Sequence, residues 1–382
     1  MRKKTKSTRK PIPKLTQLKL WVKAGGRCEF GSCNKELLKE KLTFTEINLA
    51  EIAHIVGVGN DGPRSNDKLP QGDRNKIENL MLLCKEHHHL VDSKQYEAQY
   101  PRDLLVKFKQ EHEYRIKYLT GILPYKRTTV VRLLGEIGAN EVTIPFHHIQ
   151  YAILPLYPTD EKGIEIDLTH LPSNSKDYWN AGIDIINERI EYLFSPNFFN
   201  KNLDHISVFA FAQIPFLIYL GHRMGNKIPM DIYQRHRDTE DWKWKSNGQI
   251  AKYKTQVVKR SYDTNKVSLV LSISGKINLN DLPKDVRESH TIYEITLANK
   301  KPSPLVLKRK EDLLDFKEQY QKFLREIRTS HKSPKEISLF PAIPVPIAIL
   351  CGRERLPKVD SDFIIYDYDK IKKGFNKTIV VR

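Results

Sequence analysis

Apolar residues fall into three regimes along this chain. Residues 20–100 show no sustained period; short apolar words such as Leu80-Met81-Leu82-Leu83 stand among polar, loop-forming stretches. After Pro101, the positions Leu104, Leu105, Phe108, His112, Ile116 and Leu119 recur at helical spacing, and Gly121 and Pro124 end the run. Beyond residue 145 strand and helix signals alternate. Tyr151–Tyr157 reads as a strand, and Trp179, Ile183, Ile186, Ile190 and Leu193 as a helical stripe. Ile206–Ala212 reads as a buried strand, followed by a short helix after Pro215 and a strand over Asp231–Arg235. The order then repeats: strand Val267–Ile273, a helical stripe through Leu313, Phe316, Tyr320, Phe323 and Ile327, and strands Ile337–Phe340 and Phe363–Tyr368.

The repeat is visible in the letters. ISVFAFAQIPFLIYLG at 206–221 aligns without gaps on ISLFPAIPVPIAILCG at 337–352, an offset of 131 (337 − 206). Ile, Ser, Phe, Pro, Ile and Gly coincide, and Asp231 meets Asp362 beyond them. This predicts a duplicated α/β domain over 146–382, with halves of about 146–250 and 262–382 and a ligand cleft at the strand C-termini. Residues 121–145 read as a linker, and residues 1–19 as a basic, flexible arm carrying Arg2, Lys3, Lys4, Lys6, Arg9 and Lys10 with no acid.

A formal net charge of +18 at pH 7 favours polyanions, of which nucleic acid is the commonest. No N-terminal apolar h-region is present, and the longest apolar run, 206–221, is too short for a membrane span and holds Gln213 and Pro215. The expectation is a cytoplasmic protein with no membrane partner. Of four cysteines, three fall within the first 84 residues, which suits a metal site better than a disulfide framework.

Cys28-x4-Cys33 and Cys84-x2-His87 together make a Cys3His set, a tetrahedral donor group suited to structural zinc and closed to catalysis. Between and after these pairs stand Ala53-His54-Ile55, then Glu78-Asn79-Leu80 running into Cys84, then His87-His88-His89. In this order the words resemble the HNH endonucleases over roughly residues 20–120. The resemblance implies an α+β, ββα-metal nuclease core with one divalent cation, Mg²⁺ by default. It implies that His54 is the general base, that His88 binds the catalytic metal, and that Asn79 orients the base or touches the metal. Many HNH sites carry a metal-binding Asp before the first His; here that residue is Ala53, with Glu51 the nearest carboxylate and Asp61 a second candidate. Gly57-Val58-Gly59-Asn60-Asp61-Gly62 fits a dinucleotide fingerprint, but Pro63 and polar sequence follow it instead of a helix, so no cofactor is expected there.

In the C-terminal region, Tyr233-Gln234-Arg235-His236-Arg237 leads into Trp242-Lys243-Trp244, a mixture of aromatic faces and cations that suits stacked bases and phosphates. Together with the apolar block at 206–221, this stretch resembles the SAVED domain, a cyclic-oligonucleotide sensor of two fused Rossmann-like halves. A SAVED domain behind HNH resembles the effector nucleases of bacterial cyclic-oligonucleotide anti-phage signalling. The resemblance implies double-stranded DNA as substrate and a cyclic di- or trinucleotide activator supplied by a partner nucleotide cyclase. It also implies homo-oligomerisation on activation, with Gln213, Tyr233, Arg235, Trp242 and Trp244 as ligand contacts. The alternatives are an HNH restriction enzyme whose C-terminal domain reads modified DNA, and a zinc-knuckle nucleic-acid binder without activity. The first should show a recognition helix or concentrated basic face, and the second has no use for His54 and Asn79.

Overall fold

The computed structural model describes residues 11–59, 61–136, 143–196, 203–331 and 334–382. The chain divides into two compact units, one ending at Leu123 and one beginning at Pro124.

The first unit opens with helix α1, Lys14–Ala24, which stops where Gly25 takes a left-handed conformation (φ 62°). Strand β1, Ala50–His54, pairs antiparallel with β2, Leu80–Cys84, with His54 opposite Leu80 and Ala50 opposite Cys84. β2 is buried along its whole length, because α1 packs on it and α2, Lys85–Asp92, follows from Cys84 without a break. Helix α3, Arg102–Thr120, starts after Pro101, buries Leu105, and ties to α1 through His112 Nε2 and the Ala24 carbonyl at 2.9 Å. Leu20, Leu37, Ile55, Leu82 and Val91 belong to the common core. The arm expected over 1–19 is therefore corrected: α1 begins at Lys14, since Leu20 and Ala24 find buried positions. Arg2, Lys3, Lys4, Lys6, Arg9 and Lys10 lie outside the described residues.

In the second unit, β3 is Arg127–Leu134, α4 Phe146–Ile153, β4 Tyr157–Pro158, β5 Ile164–Asp167, α5 Tyr178–Leu193, β6 Ile206–Phe211, α6 Ile214–Met224 and β7 Met230–Tyr233. There follow β8 Tyr253–Lys259, β9 Val267–Ser272, α7 Lys284–Ser289, β10 Thr291–Leu297, α8 Glu311–Ser330, β11 Glu336–Ala342, α9 Val345–Arg353, β12 Asp362–Asp369 and β13 Gly374–Val381. One sheet runs β5-β3-β6-β7, all parallel, with β4 beside the start of β3. The other runs β13-β12-β11-β9-β10-β8, parallel over β10-β9-β11-β12, with an antiparallel strand at each edge. In both parallel cores the first strand in sequence lies between the second and third, and the fourth flanks the third. One core cluster takes residues from both sheets and from α6 and α9, among them Val131, Ile206, Ile218, Leu269, Ile337 and Ile349.

Three expectations are corrected here. The span 121–145, read as a linker, contains β3, whose two faces are both covered, so it shows no polar alternation. The strand expected at Tyr151–Tyr157 is the end of α4 followed by the short β4; Ile149, Ala152 and Ile153 are buried at helical spacing. The second half begins before residue 262, because β8 pairs with β10.

Candidate functional site

The turn from β2 into α2 places Cys84 at the helix start and His87 three residues on, while the loop after α1 carries Cys28 and Cys33. The four donor atoms lie within 4.8 Å of one another. Cys84 Sγ is 3.1 Å and Cys28 Sγ 3.7 Å from His87 Nδ1, and the Cys84 backbone N–H donates to Cys28 Sγ at 3.3 Å. Burial, reinforced by the neighbouring sulfurs, pushes the Cys28 thiol up. Three clustered sulfurs with one imidazole, two of the four residues buried and two half-buried, fit a divalent metal, which would stabilise their thiolate forms. Phe30 stacks on His87 with ring centroids 4.1 Å apart and fixes the imidazole plane.

His54 ends β1 half-buried, and its Nε2 lies 2.9 Å from Asn75 Oδ1. Asn79 is buried, and its side-chain amide bonds to backbone through both its oxygen and its nitrogen. Oδ1 accepts from Val56 N–H at 2.9 Å, and Nδ2 donates to the carbonyls of Val56 and Arg74, each at 2.9 Å. Its own carbonyl accepts from Ile55 N–H at 2.8 Å. Asn79 thus clamps the chain just beyond His54. Two buried arginines fasten the loop between these residues. Arg64 donates to the carbonyls of Ile55, Val91 and Tyr100, and Arg74 to those of Gly57, Ser65 and Leu69.

His88 lies on α2, and its Nε2 is 3.5 Å from Asp92 Oδ2, one helical turn on. Glu51 is exposed and stands three residues before His54, so the strand's two-residue period turns it to the opposite face. It does not join His54, and Asp92 is the carboxylate the fold brings to His88. Asp61 is exposed, and His89 is exposed on α2. Sequence reasoning missed Asn75, Arg64, Arg74 and Asp92; only Asp92, four residues after His88, leaves a local signal.

In the second unit, Gln213 is the N-cap residue of α6, beyond the C-terminal end of β6, and donates through Nε2 to the Glu136 carbonyl at 2.6 Å. Arg235 and Trp244 are half-buried beyond the end of β7. Tyr233 and Trp242 are not available for stacking: both are buried, Tyr233 lies parallel on Phe209 at 4.5 Å, and Trp242 meets Phe209 edge-on at 5.3 Å. Their rings close the apolar cluster over one sheet face, which corrects the expectation of ligand contacts. The indole N–H groups of Trp242 and Trp244 and Nε2 of His236 are buried with no hydrogen-bond partner among the described residues.

Two family models match the chain. Residues 192–381 match SAVED, the SMODS-associated and fused to various effectors sensor domain, and residues 30–96 match an HNH endonuclease family. No curated protein matches. The solved Acinetobacter baumannii Cap4 SAVED/CARF-domain containing receptor with the cyclic trinucleotide 3'3'3'-cAAA is 12% identical, covering 77% of this chain and 62% of that one, with a TM-score of 0.40. The Moraxella osloensis Cap4 SAVED/CARF-domain containing receptor is 14% identical, covering 84% of this chain and 62% of that one, with a TM-score of 0.38. The chain thus spans 62% of the length of each. Among the described residues no helix is long and apolar enough to cross a membrane.

Proposed function

We propose that this chain, whose residues 30–96 match an HNH endonuclease family and whose residues 192–381 match the SAVED sensor domain, is a cyclic-nucleotide-activated, metal-dependent endonuclease that cuts double-stranded DNA in anti-phage defence. The observation that carries the proposal is the presence of both domains in one chain: a nuclease that would damage its own host, and a sensor able to hold it in check.

In this reading the first unit is a ββα-metal core, with Zn²⁺ held by Cys28, Cys33, Cys84 and His87 in a closed set that keeps β2 and α2 together. His54 accepts the proton of the attacking water; imidazole changes charge near neutral pH and so suits the task. His88 and Asp92, whose side chains face each other at 3.5 Å, would hold the catalytic cation, taken to be Mg²⁺. When bound, that ion would supply charge neutralisation at the phosphate and the departing 3′ oxygen. Asn79 serves by fixing the backbone on which His54 stands.

The second unit is read as two fused Rossmann-like halves. A cyclic di- or trinucleotide, made by a partner nucleotide cyclase in the cytoplasm, would settle beyond the strand C-termini, where open α/β sheets take ligands. Gln213, Arg235 and Trp244 follow the ends of β6 and β7, and the indole N–H of Trp244 finds no partner among the described residues. Ligand that binds an assembled state more tightly than the free chain shifts the population toward it, bringing nuclease sites together on one duplex. Supercoiled plasmid with Mg²⁺, incubated with and without a panel of cyclic di- and trinucleotides, tests this. Linearisation only with a panel member supports it, and cutting that depends instead on DNA modification favours a modification reader.

A further inference from the structure

We propose that Asn75 is the positioning residue of the nuclease site: its side-chain oxygen selects the tautomer of His54 that leaves Nδ1 as the proton acceptor. The proposal rests on His54 being the general base. It adds the residue that makes the imidazole competent, and it gives Asn79 an indirect role through that residue.

His54 Nε2 lies 2.9 Å from Asn75 Oδ1. An amide oxygen only accepts, so Nε2 must carry the proton, and in a neutral imidazole the lone pair then sits on Nδ1. A base whose far nitrogen is bonded to a fixed oxygen keeps both its tautomer and its ring plane. This is the service that a third residue performs in any nucleophile–base–orienter arrangement. An amide does so without adding charge, so the base is oriented without being made harder to deprotonate.

The surrounding loop holds Asn75 in place. Asn79 Nδ2 donates to the carbonyl of Arg74, the residue immediately before Asn75, while the same amide grips Val56, two residues after His54. The guanidinium of Arg74 is buried and donates to the carbonyls of Gly57, Ser65 and Leu69. Asn79 therefore stitches the chain beside His54 to the chain beside Asn75, and the contact between the two side chains is its result. Asn75 and His54 are 21 residues apart, so no local spacing announces the pair.

The test uses the full chain, with histidine labelled in its ring nitrogens, and compares wild type with Asn75→Ala, Asn75→Asp and His54→Ala. Nitrogen chemical shifts identify which ring nitrogen is protonated, and the His54 signal is the one missing from His54→Ala. In wild type Nε2 should carry the proton; in Asn75→Ala the signal should move to a mixture of tautomers. Plasmid cleavage with Mg²⁺, measured in the presence of each member of a panel of cyclic di- and trinucleotides, should fall roughly 10- to 100-fold in Asn75→Ala, the cost of a misplaced catalytic group. In the isosteric Asn75→Asp, a carboxylate beside Nε2–H stabilises imidazolium, so the acid limb of the pH–rate profile should move up by about one pH unit or more. A purely structural asparagine would leave that limb in place. Unchanged zinc content identifies folded variants. If His54→Ala still cuts, the assignment of the base is wrong. If His54→Ala is dead but both Asn75 variants keep the wild-type tautomer and pH profile, Asn75 does not position the base and the inference is overturned.

Discussion

Gly221 on α6 and Gly352 on α9 meet back to back, each pressed against the other helix's main chain. A methyl group on Gly221 would collide with the Ile349 carbonyl, and one on Gly352 with the Ile218 carbonyl. The contacts are reciprocal at the offset read from the sequence, since Gly221 and Ile218 become Gly352 and Ile349 when shifted by 131 (352 − 221). The duplication is thus expressed as a local two-fold between helices.

Alanine at either glycine should separate α6 from α9. Gly221→Ala and Gly352→Ala should each lower the stability of the C-terminal unit by about 1–3 kcal/mol, the usual cost of overpacking. Chemical denaturation followed by tryptophan fluorescence in a Trp21→Phe background measures this, since Trp179, Trp242 and Trp244 lie in that unit and Trp21 in the first. Wild-type midpoints in both variants would contradict the close approach.

His222, beside Gly221, gives the unit a pH dependence. Burial, and then the charges of Arg355 and Arg223, hold its pKa down to about 4 from an ordinary 6.5. Between those values the unfolded chain binds the proton and the folded chain does not, so stability falls as pH drops from 6.5 toward 4. Denaturation midpoints across this window should fall with acidification, and His222→Gln should flatten the slope. An equal slope in the variant would assign the dependence elsewhere.

The metal set predicts a stability effect confined to the nuclease unit. Metal analysis after chelation of loosely held ions should find about one zinc per chain, and Cys28→Ser or Cys84→Ser should unfold the first unit while sparing the second. Folded, zinc-free, active protein would exclude the assignment.

How legible these features were depended on whether their partners lie nearby in sequence. The four residues of the Cys3His cluster come in two short-spaced pairs, and the helix stripes over 179–193 and 313–327 read directly. β3 failed as a sequence reading because a strand covered on both faces lacks alternation, and α4 because eight residues give little more than two turns of pattern. Trp242 looked like a ligand contact because its neighbours Lys243 and Trp244 are polar or half-exposed; only the fold shows its ring against Phe209. The Asn75–His54 bond and the Arg64 clamp join residues across a loop and have no periodicity to betray them.

The two tryptophans should therefore separate by substitution. Trp242→Ala should cost about 3–5 kcal/mol of stability, as large-to-small core changes do. Trp244→Ala should leave the fold nearly intact but weaken cyclic-nucleotide binding by ~1–3 kcal/mol if its ring stacks on a base. Titration calorimetry beside thermal melts distinguishes them; the reverse pattern would place the ligand against Trp242 instead.

In the nuclease unit, His54→Ala should reduce cleavage ~10²–10⁴-fold with the fold retained. His88→Ala and Asp92→Asn should lose activity at low Mg²⁺ and regain part of it at high Mg²⁺, with weaker Mn²⁺ binding in a direct titration. Wild-type Mn²⁺ affinity in Asp92→Asn would remove that carboxylate from the metal shell.

In the proposed function, occupancy of the C-terminal unit controls cutting by the N-terminal one. Its most direct test is the rate of plasmid linearisation with Mg²⁺, measured across a panel of cyclic di- and trinucleotides with sedimentation run in parallel. Cutting should be negligible without ligand, and rapid with a larger sedimenting species in the presence of one panel member. Full-rate cutting without any cyclic nucleotide, with a sedimentation profile that no panel member changes, would contradict it.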